Sequence, residues 1–473
     1  MKILLVAGEL YPYAAVSGLG EELWQYASAL AARGHEVRAI LPMYDAQDRS
    51  SLRFAGGFHM SFAGKNPYCG IYTATENRMT VYLIESSFYF NRMFYCDSHD
   101  DGERYAFFCR AALAILPVVG FRPDVLHAHD WQAALCVVYL KRYLQGDPFY
   151  RDISAVYTVH RIAFQGIFDG NKLSLLGIPE KDAWIFCGCG GVNLTAGALI
   201  LADALTTVSG HYARELLSDS VSYGLGRLMR ANCGKLWGIL CGIDPKRFDP
   251  ESGMGGIVPF SAEDCLDGKR ENKKRLQTLL DWEADGDAVL LYIPGPLFCE
   301  RGMDQLAEAA VKLLGDGMQL IVSGTGEMRY AHMFMQLQRR CPKRMQYLPD
   351  FRLCSELLLY AASDFVLLAP KQEPCGSAQM IACRFGAVPI VRATGGLADA
   401  VQPFCGETGK GNGYLFSDFH ASSLYAVVKS AALRRSQRTE EHRTLVQNAM
   451  QSDFSWNRCA AEYERLFLEL KRR

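Results

Sequence analysis

What most limits the folds open to this chain is an alternation that runs through it twice. Short apolar runs, KILLVAG, EVRAILP, DVLHAHD, SAVYTVH and ALTTVSG, are separated by helix-patterned stretches over the first half. Strands that are apolar along their whole length are buried on both faces, which calls for a parallel sheet covered by helices on either side. The pattern lapses between Gly242 and Gly268, where Gly, Pro and Asp dominate. It resumes with AVLLYIPG, MQLIVSGTG, FVLLAP and AVPIVRATGG. The expected fold class is α/β, with two Rossmann-like, doubly wound domains facing across a cleft. The domains are placed at 1–245 and 269–455, with 246–268 as a linker and 456–473 as a C-terminal helix. At 473 residues and 49% hydrophobic content the chain has material for two cores.

Composition narrows the partners. Fifty basic residues against fifty-one acidic ones give a formal charge of -1, which argues against nucleic acid or an anionic membrane as the main partner. No apolar run nears the roughly 20 residues of a membrane span. Met1-Lys2 leads directly into a strand-like run and not into a signal sequence, so a cytoplasmic protein is expected. The sixteen cysteines show no framework spacing, and the closest pair, Cys187 and Cys189, lacks the second ligand pair of a zinc site. Reduced thiols are the simplest expectation.

Ligands of open α/β sheets sit at the carboxyl ends of strands, and four such ends carry chemistry. The first is the loop GELYPYAAVSGLGEEL, which runs from a strand through glycines into a helix, as a phosphate-binding turn does, yet has no Lys or Arg between Lys2 and Arg33. The second is His127-Ala128-His129-Asp130-Trp131, the third Thr158-Val159-His160-Arg161, and the fourth Glu373-Pro374-Cys375-Gly376-Ser377. Any one alone reads first as a buried, hydrogen-bonded polar residue closing a strand; all four together point to a site. In the second half, Gly324-Thr325-Gly326, Gly376-Ser377 and Thr394-Gly395-Gly396-Leu397 each precede a helix-like segment. Three such turns suggest a nucleotide diphosphate held largely by main-chain donors.

HAHDWQAAL, YTVHRIAFQG, ADALTTVSGHYAREL, GTGE, QEPCGSAQM, VRATGGLADAV, GNGYLF and DFSW, in this order, resemble the bacterial glycogen synthase and plant starch synthase family. The similarity runs from Met1 to about Leu470. It implies a GT-B fold and retaining transfer of glucose from ADP-glucose to the non-reducing end of an α-1,4-glucan; no cofactor is expected, and no metal, since no Asp-x-Asp stands at a strand end and main-chain turns can serve the diphosphate. It also implies a C-terminal helix that crosses back to the first domain, the plainer reading being a cap on the second. Carried over by position, Asp130 and His160 contact the transferred glucose, and Glu373 steadies the sugar and its developing positive charge. Cys375, Gly376 and Ser377 present amides to sugar and diphosphate, and Thr394 to Leu397 add phosphate contacts. Ser17, Gly18 and the Gly324–Gly326 turn complete the nucleotide-sugar set, with Arg301 as the remaining phosphate cation.

Several positions depart from the family pattern. Its opening loop reads Lys-x-Gly-Gly-Leu, and here Ala15 stands for the lysine. A phosphate-directed Arg is Pro296, and the Lys five residues on is Arg301. Arg161 replaces Asn, Ala196 replaces Lys, and Cys241 replaces the Asn of an Asn-Gly turn. A charged hydrogen bond contributes about 1.5–3 kcal/mol, so losing the contacts at Ala15 and Pro296 forfeits roughly 3–6 kcal/mol unless Arg161, Arg301 or Lys371 substitutes. Three readings follow: a working synthase with rewired phosphate contacts; a weak or silent homologue that binds glucan or regulates a partner; or the same fold serving another nucleotide-sugar.

Overall fold

The computed structural model of the chain describes residues 1–45, 49–92, 94, 100–188 and 191–472; of the pair Cys187 and Cys189, the latter lies outside them. The strands are β1 (Lys2–Val6), β2 (Glu36–Pro42), β3 (Arg53–His59), β4 (Tyr68–Glu76), β5 (Met79–Glu85), β6 (Val125–His129), β7 (Ser154–Val159), β8 (Ile167–Phe168), β9 (Cys187–Gly188), β10 (Gly191–Asn193), β11 (Ala204–Thr207), β12 (Leu236–Gly238), β13 (Leu290–Ile293), β14 (Gln319–Ser323), β15 (Met345–Leu348), β16 (Phe365–Leu368), β17 (Val388–Arg392) and β18 (Tyr414–Phe416). The chain divides into two compact units, Met1–Cys241 with Trp456–Arg473, and Gly242–Ser455.

The first unit carries a nine-stranded sheet in the order β12-β11-β7-β6-β1-β2-β5-β4-β3, parallel except where β4 pairs with β5 and β3. Its central strands β1 and β6 are buried but for Lys2, as uniformly apolar runs require. The second unit carries a six-stranded, wholly parallel sheet, β15-β14-β13-β16-β17-β18. Both sheets reverse their winding once, between β1 and β6 and between β13 and β16. At such a reversal the loops leaving adjacent strands part in opposite directions and open a crevice at the carboxyl ends.

The segment 246–268, expected to be a linker, lies within the second unit and is tied to it. Asn272 accepts from the Val258 amide and donates to its carbonyl, both at 2.8 Å, and the helix Cys265–Leu279 starts inside the segment. Helix Trp456–Arg472 belongs to the first unit. There Tyr463 packs against Tyr26 of helix Gly18–Ala32 at 4.6 Å between ring centres, and Arg33 pairs with Glu464. The cysteines described are free thiols, most of them buried. No helix among the described residues is long and apolar enough to cross a membrane.

Candidate active site

In the first unit, the loop after β1 is organised around a carboxylate that the residue pattern does not advertise. Glu9 is 1% exposed; its Oε2 accepts from the amides of Val16 and Ser17 at 2.9 and 2.8 Å, and its Oε1 from the Ser17 hydroxyl at 3.0 Å. The same hydroxyl oxygen caps helix Gly18–Ala32 by accepting from Leu19 N. The donors of Ser17 expected for a nucleotide phosphate are thus engaged by Glu9. Ala15 and Gly18 are exposed, and a Cβ on Gly18 would meet nothing within 4 Å.

At the winding reversal β6 ends at His129, and Asp130 opens helix Asp130–Val138 with φ of +55°, a left-handed conformation uncommon outside glycine. Its carboxylate accepts from the His160 amide, at the end of β7, at 2.8 Å. Burial raises the Asp130 carboxyl to about 7 against main-chain hydrogen bonds from His160 and Arg161 and the charge of Arg161; Glu9 adds to the rise. His160 is held down to about 3 by burial and by the Arg161 charge, so its ring is neutral. Arg161, exposed, therefore acts on Asp130 and His160 from close by.

The Asp130 shift has a stability consequence. A carboxyl whose folded pKa is above its unfolded value stabilises the fold below the unfolded value, and that contribution is lost as pH rises to about 7. Asp130→Asn should therefore melt higher than the parent at pH 8 and alike at pH 4, by about 2–4 °C for each kcal/mol gained. Calorimetric melts of both proteins across that range check it; a lower melting point for the variant at pH 8 refutes it.

In the second unit, Arg301 and Glu373 leave the two strands at the reversal, β13 and β16. Loop 294–302 is pinned twice. Leu297 N donates to Thr325 O at 2.9 Å and Glu327 N to Leu297 O at 2.8 Å, which uses the Gly324–Gly326 turn as a ledge. At its far end the Lys371 amide donates to Glu300 O at 2.8 Å, and a Cβ on Gly302 would lie 1.8 Å from Ala369 O. Only glycine permits that approach. Arg301 is thereby brought to Glu373, and the two form an ion pair. Glu373 is 7% exposed. Lys371 is exposed, and its charge acts on Glu300 and Cys299.

The turn Thr394–Leu397 makes close main-chain contacts of its own. Thr394 N, Gly396 N and Leu397 N donate to the carbonyls of Arg392, Glu373 and Thr394. Cβ atoms on Gly395 and Gly396 would fall 1.9 Å from Glu373 O and 2.0 Å from Cys375 O. The turn seats the Glu373 loop, and the Leu397 side chain lies in a core cluster with Val391 and Val401. Cys375 is buried; Gly376, at φ of +73°, has its carbonyl, with that of Cys375, held by Gln379 Nε2 at 2.9 and 3.0 Å; Ser377 is exposed. Thr325 and Gly326 are exposed. Among the altered positions, Pro296 is exposed without a donor, whereas Ala196 and Cys241 are buried.

Residues 2–231 match the family model described as the starch synthase catalytic domain. Over 479 residues, 99% of each chain, the sequence is 35% identical to the glycogen synthase of Desulforamulus reducens. It is 34% identical over 477 residues, again 99% of each, to that of Clostridium beijerinckii. Among solved structures, the catalytic domain of starch synthase IV from Arabidopsis thaliana bound to ADP and acarbose matches over 100% of both chains, with a TM-score of 0.87 and 29% identity. Sucrose-phosphate synthase from Thermosynechococcus elongatus, at 17% identity and a TM-score of 0.62 over 99% of this chain and 98% of that one, shares the fold.

Proposed function

The chain belongs to the glycogen and starch synthase family of glycosyltransferases, and on that premise we propose that it transfers glucose from ADP-glucose to the non-reducing end of an α-1,4-glucan with retention. The observation that carries the proposal is the placement of Asp130 at the winding reversal of one sheet, with His160 bonded to it from the end of the next strand, and of Glu373 and Arg301 at the reversal of the other sheet. In such a transfer the bond from sugar C1 to the diphosphate breaks, and a bond from C1 to a glucan hydroxyl forms on the same face. Charge develops positively on the ring and negatively on the departing phosphate, so a carboxylate and a guanidinium are the groups the step needs. The solved relative with ADP and acarbose bound is consistent with a nucleotide and a glucan-like chain as ligands.

Incubation of the purified protein with ADP-glucose and glycogen should release ADP in step with chain extension. ADP release that does not need glucan would mean donor hydrolysis. A calorimetric panel of nucleotide-sugars identifies a different donor if ADP-glucose is not the preferred one. The silent reading draws on one observation of its own: Arg301 is already engaged by Glu373, and no cation stands at Ala15. Micromolar binding of ADP-glucose refutes it.

Ala15 is exposed, so a longer side chain meets no packing penalty there. Ala15→Lys should raise kcat/KM for ADP-glucose by about 10- to 100-fold, the equivalent of one charged hydrogen bond of roughly 1.5–3 kcal/mol. Initial rates for parent and variant decide this; an unchanged rate would mean the loop does not reach the diphosphate.

A further inference from the structure

Three imidazoles, His127, His129 and His160, follow one another at the ends of β6 and β7. His127 is committed on both sides, with Tyr26 Oη 3.1 Å from its Nδ1 and Thr158 Oγ1 2.6 Å from its Nε2. The other two are committed on one side each. Nδ1 of His129 lies 3.1 Å from Nε2 of His160, while His129 Nε2 and His160 Nδ1 are buried without a hydrogen-bond partner. Burial holds both rings neutral, and at His160 the Arg161 charge adds to it. Each therefore carries one N–H and one lone pair, and the bond between them admits two arrangements.

In the first arrangement His160 Nε2–H donates to His129. His160 Nδ1 is then a bare lone pair 3.9 Å from the Glu22 carboxylate, and His129 must carry its proton on Nε2, an orphaned donor in the interior. In the second, His129 Nδ1–H donates to His160 Nε2. The proton of His160 is then on Nδ1 and turns its positive end toward Glu22, and His129 keeps only an unused lone pair inside. Each arrangement leaves one buried N–H without a hydrogen-bond partner, so the Glu22 carboxylate decides between them: the second turns an N–H dipole toward it, and the first sets a bare lone pair against it.

We propose that His129 is a positioning residue that locks His160 in the Nδ1–H tautomer, so that the end of β7 presents a neutral hydrogen-bond donor. The use of that donor, toward a sugar hydroxyl, rests on the function proposed above; the tautomer does not. The full-length protein labelled with 15N-histidine decides the matter through long-range proton–nitrogen correlation spectra at pH 7.5, with His160 assigned by the signal lost in His160→Gln. The expected spectrum has His160 protonated at Nδ1. His129→Asn, whose amide NH2 stands where Nδ1–H stood, should keep that pattern. His129→Phe should release His160 to the Nε2–H form common in free imidazole and lower kcat at least 10-fold, with ADP affinity unchanged.

A parent spectrum with the proton on Nε2, or an Nδ1–H pattern that persists in His129→Phe, overturns the assignment. If His129→Phe does not fold, the parent and His129→Asn spectra carry the test. An Nδ1–H signal in a protein that transfers no glucose would sink the proposed function and leave the tautomer standing.

Discussion

Glu373→Gln is expected to lower kcat by about 10²- to 10³-fold while the fold stays intact, because one preorganised electrostatic contact at a developing charge is worth about 2.7–4 kcal/mol. Glutamine keeps the volume of the side chain and one acceptor oxygen, and removes its charge. The position is nearly buried, so the lost field is not replaced by water. Stability should hardly move: Arg301 is 34% exposed, and ion pairs of that exposure contribute about 0–1 kcal/mol. ADP binding should hold or tighten, since the guanidinium loses its carboxylate and is freed for phosphate. Initial rates, a thermal melt and an ADP titration on the same preparation read all three. A rate within threefold of the parent removes Glu373 from the chemistry, and a melting point many degrees lower turns the lost rate into a folding effect.

The physical origin of each feature explains why some were legible in the residues and others were not. The central strands announce themselves because burial on both faces forces uninterrupted apolar runs such as ILLV and FVLL. The antiparallel extension β3–β5 escapes that rule. Its outer strand RFAGGFH is largely exposed and glycine-bearing, so neither an apolar run nor a clean alternation marks it. The strand-end residues Asp130, His160 and Glu373 stand out as polar groups that follow apolar runs. Their partners do not, because partnership depends on distant backbone. Arg301 meets Glu373, 72 residues on, only because Gly302 lets its loop lie against Ala369. Thr394–Leu397 has the composition of an anion-binding turn, and its two glycines also let it lie against the carbonyls of Glu373 and Cys375. Glu9 is the clearest omission. A lone carboxylate in an otherwise uncharged loop is the available signal, because a buried charge must find donors, and it finds those of Val16 and Ser17.

The same rule, that a buried charge is stable only among its partners, governs the strongest stability prediction. Asp364, ahead of β16, accepts from Lys273 Nζ at 2.6 Å, Arg435 Nε at 2.9 Å and Leu290 N at 2.8 Å, with its side chain 7% exposed and that of Lys273 1%. Burial pushes the carboxyl up, but Lys273 and Arg435 outweigh it and hold it at about 2. Asp364→Ala leaves the buried ammonium of Lys273 without its counter-charge, close to a second buried lysine, Lys269, which donates to carbonyls and which burial already lowers to about 7 against the pull of Asp364. Breaking such a pair from one side costs about 3–5 kcal/mol, far more than the intact pair contributes over an apolar replacement. Urea unfolding of the second unit's transition should show that loss at pH 7. The pH dependence carries the signature. A carboxyl with a lowered folded pKa stabilises above its unfolded value near 3.8 and loses that contribution as pH falls through about 2. The parent should therefore lose stability between pH 4 and 2 that the variant no longer has to lose, and the two curves should converge toward acid. Parallel curves would mean that the destabilisation comes from lost packing and not from the uncompensated charge.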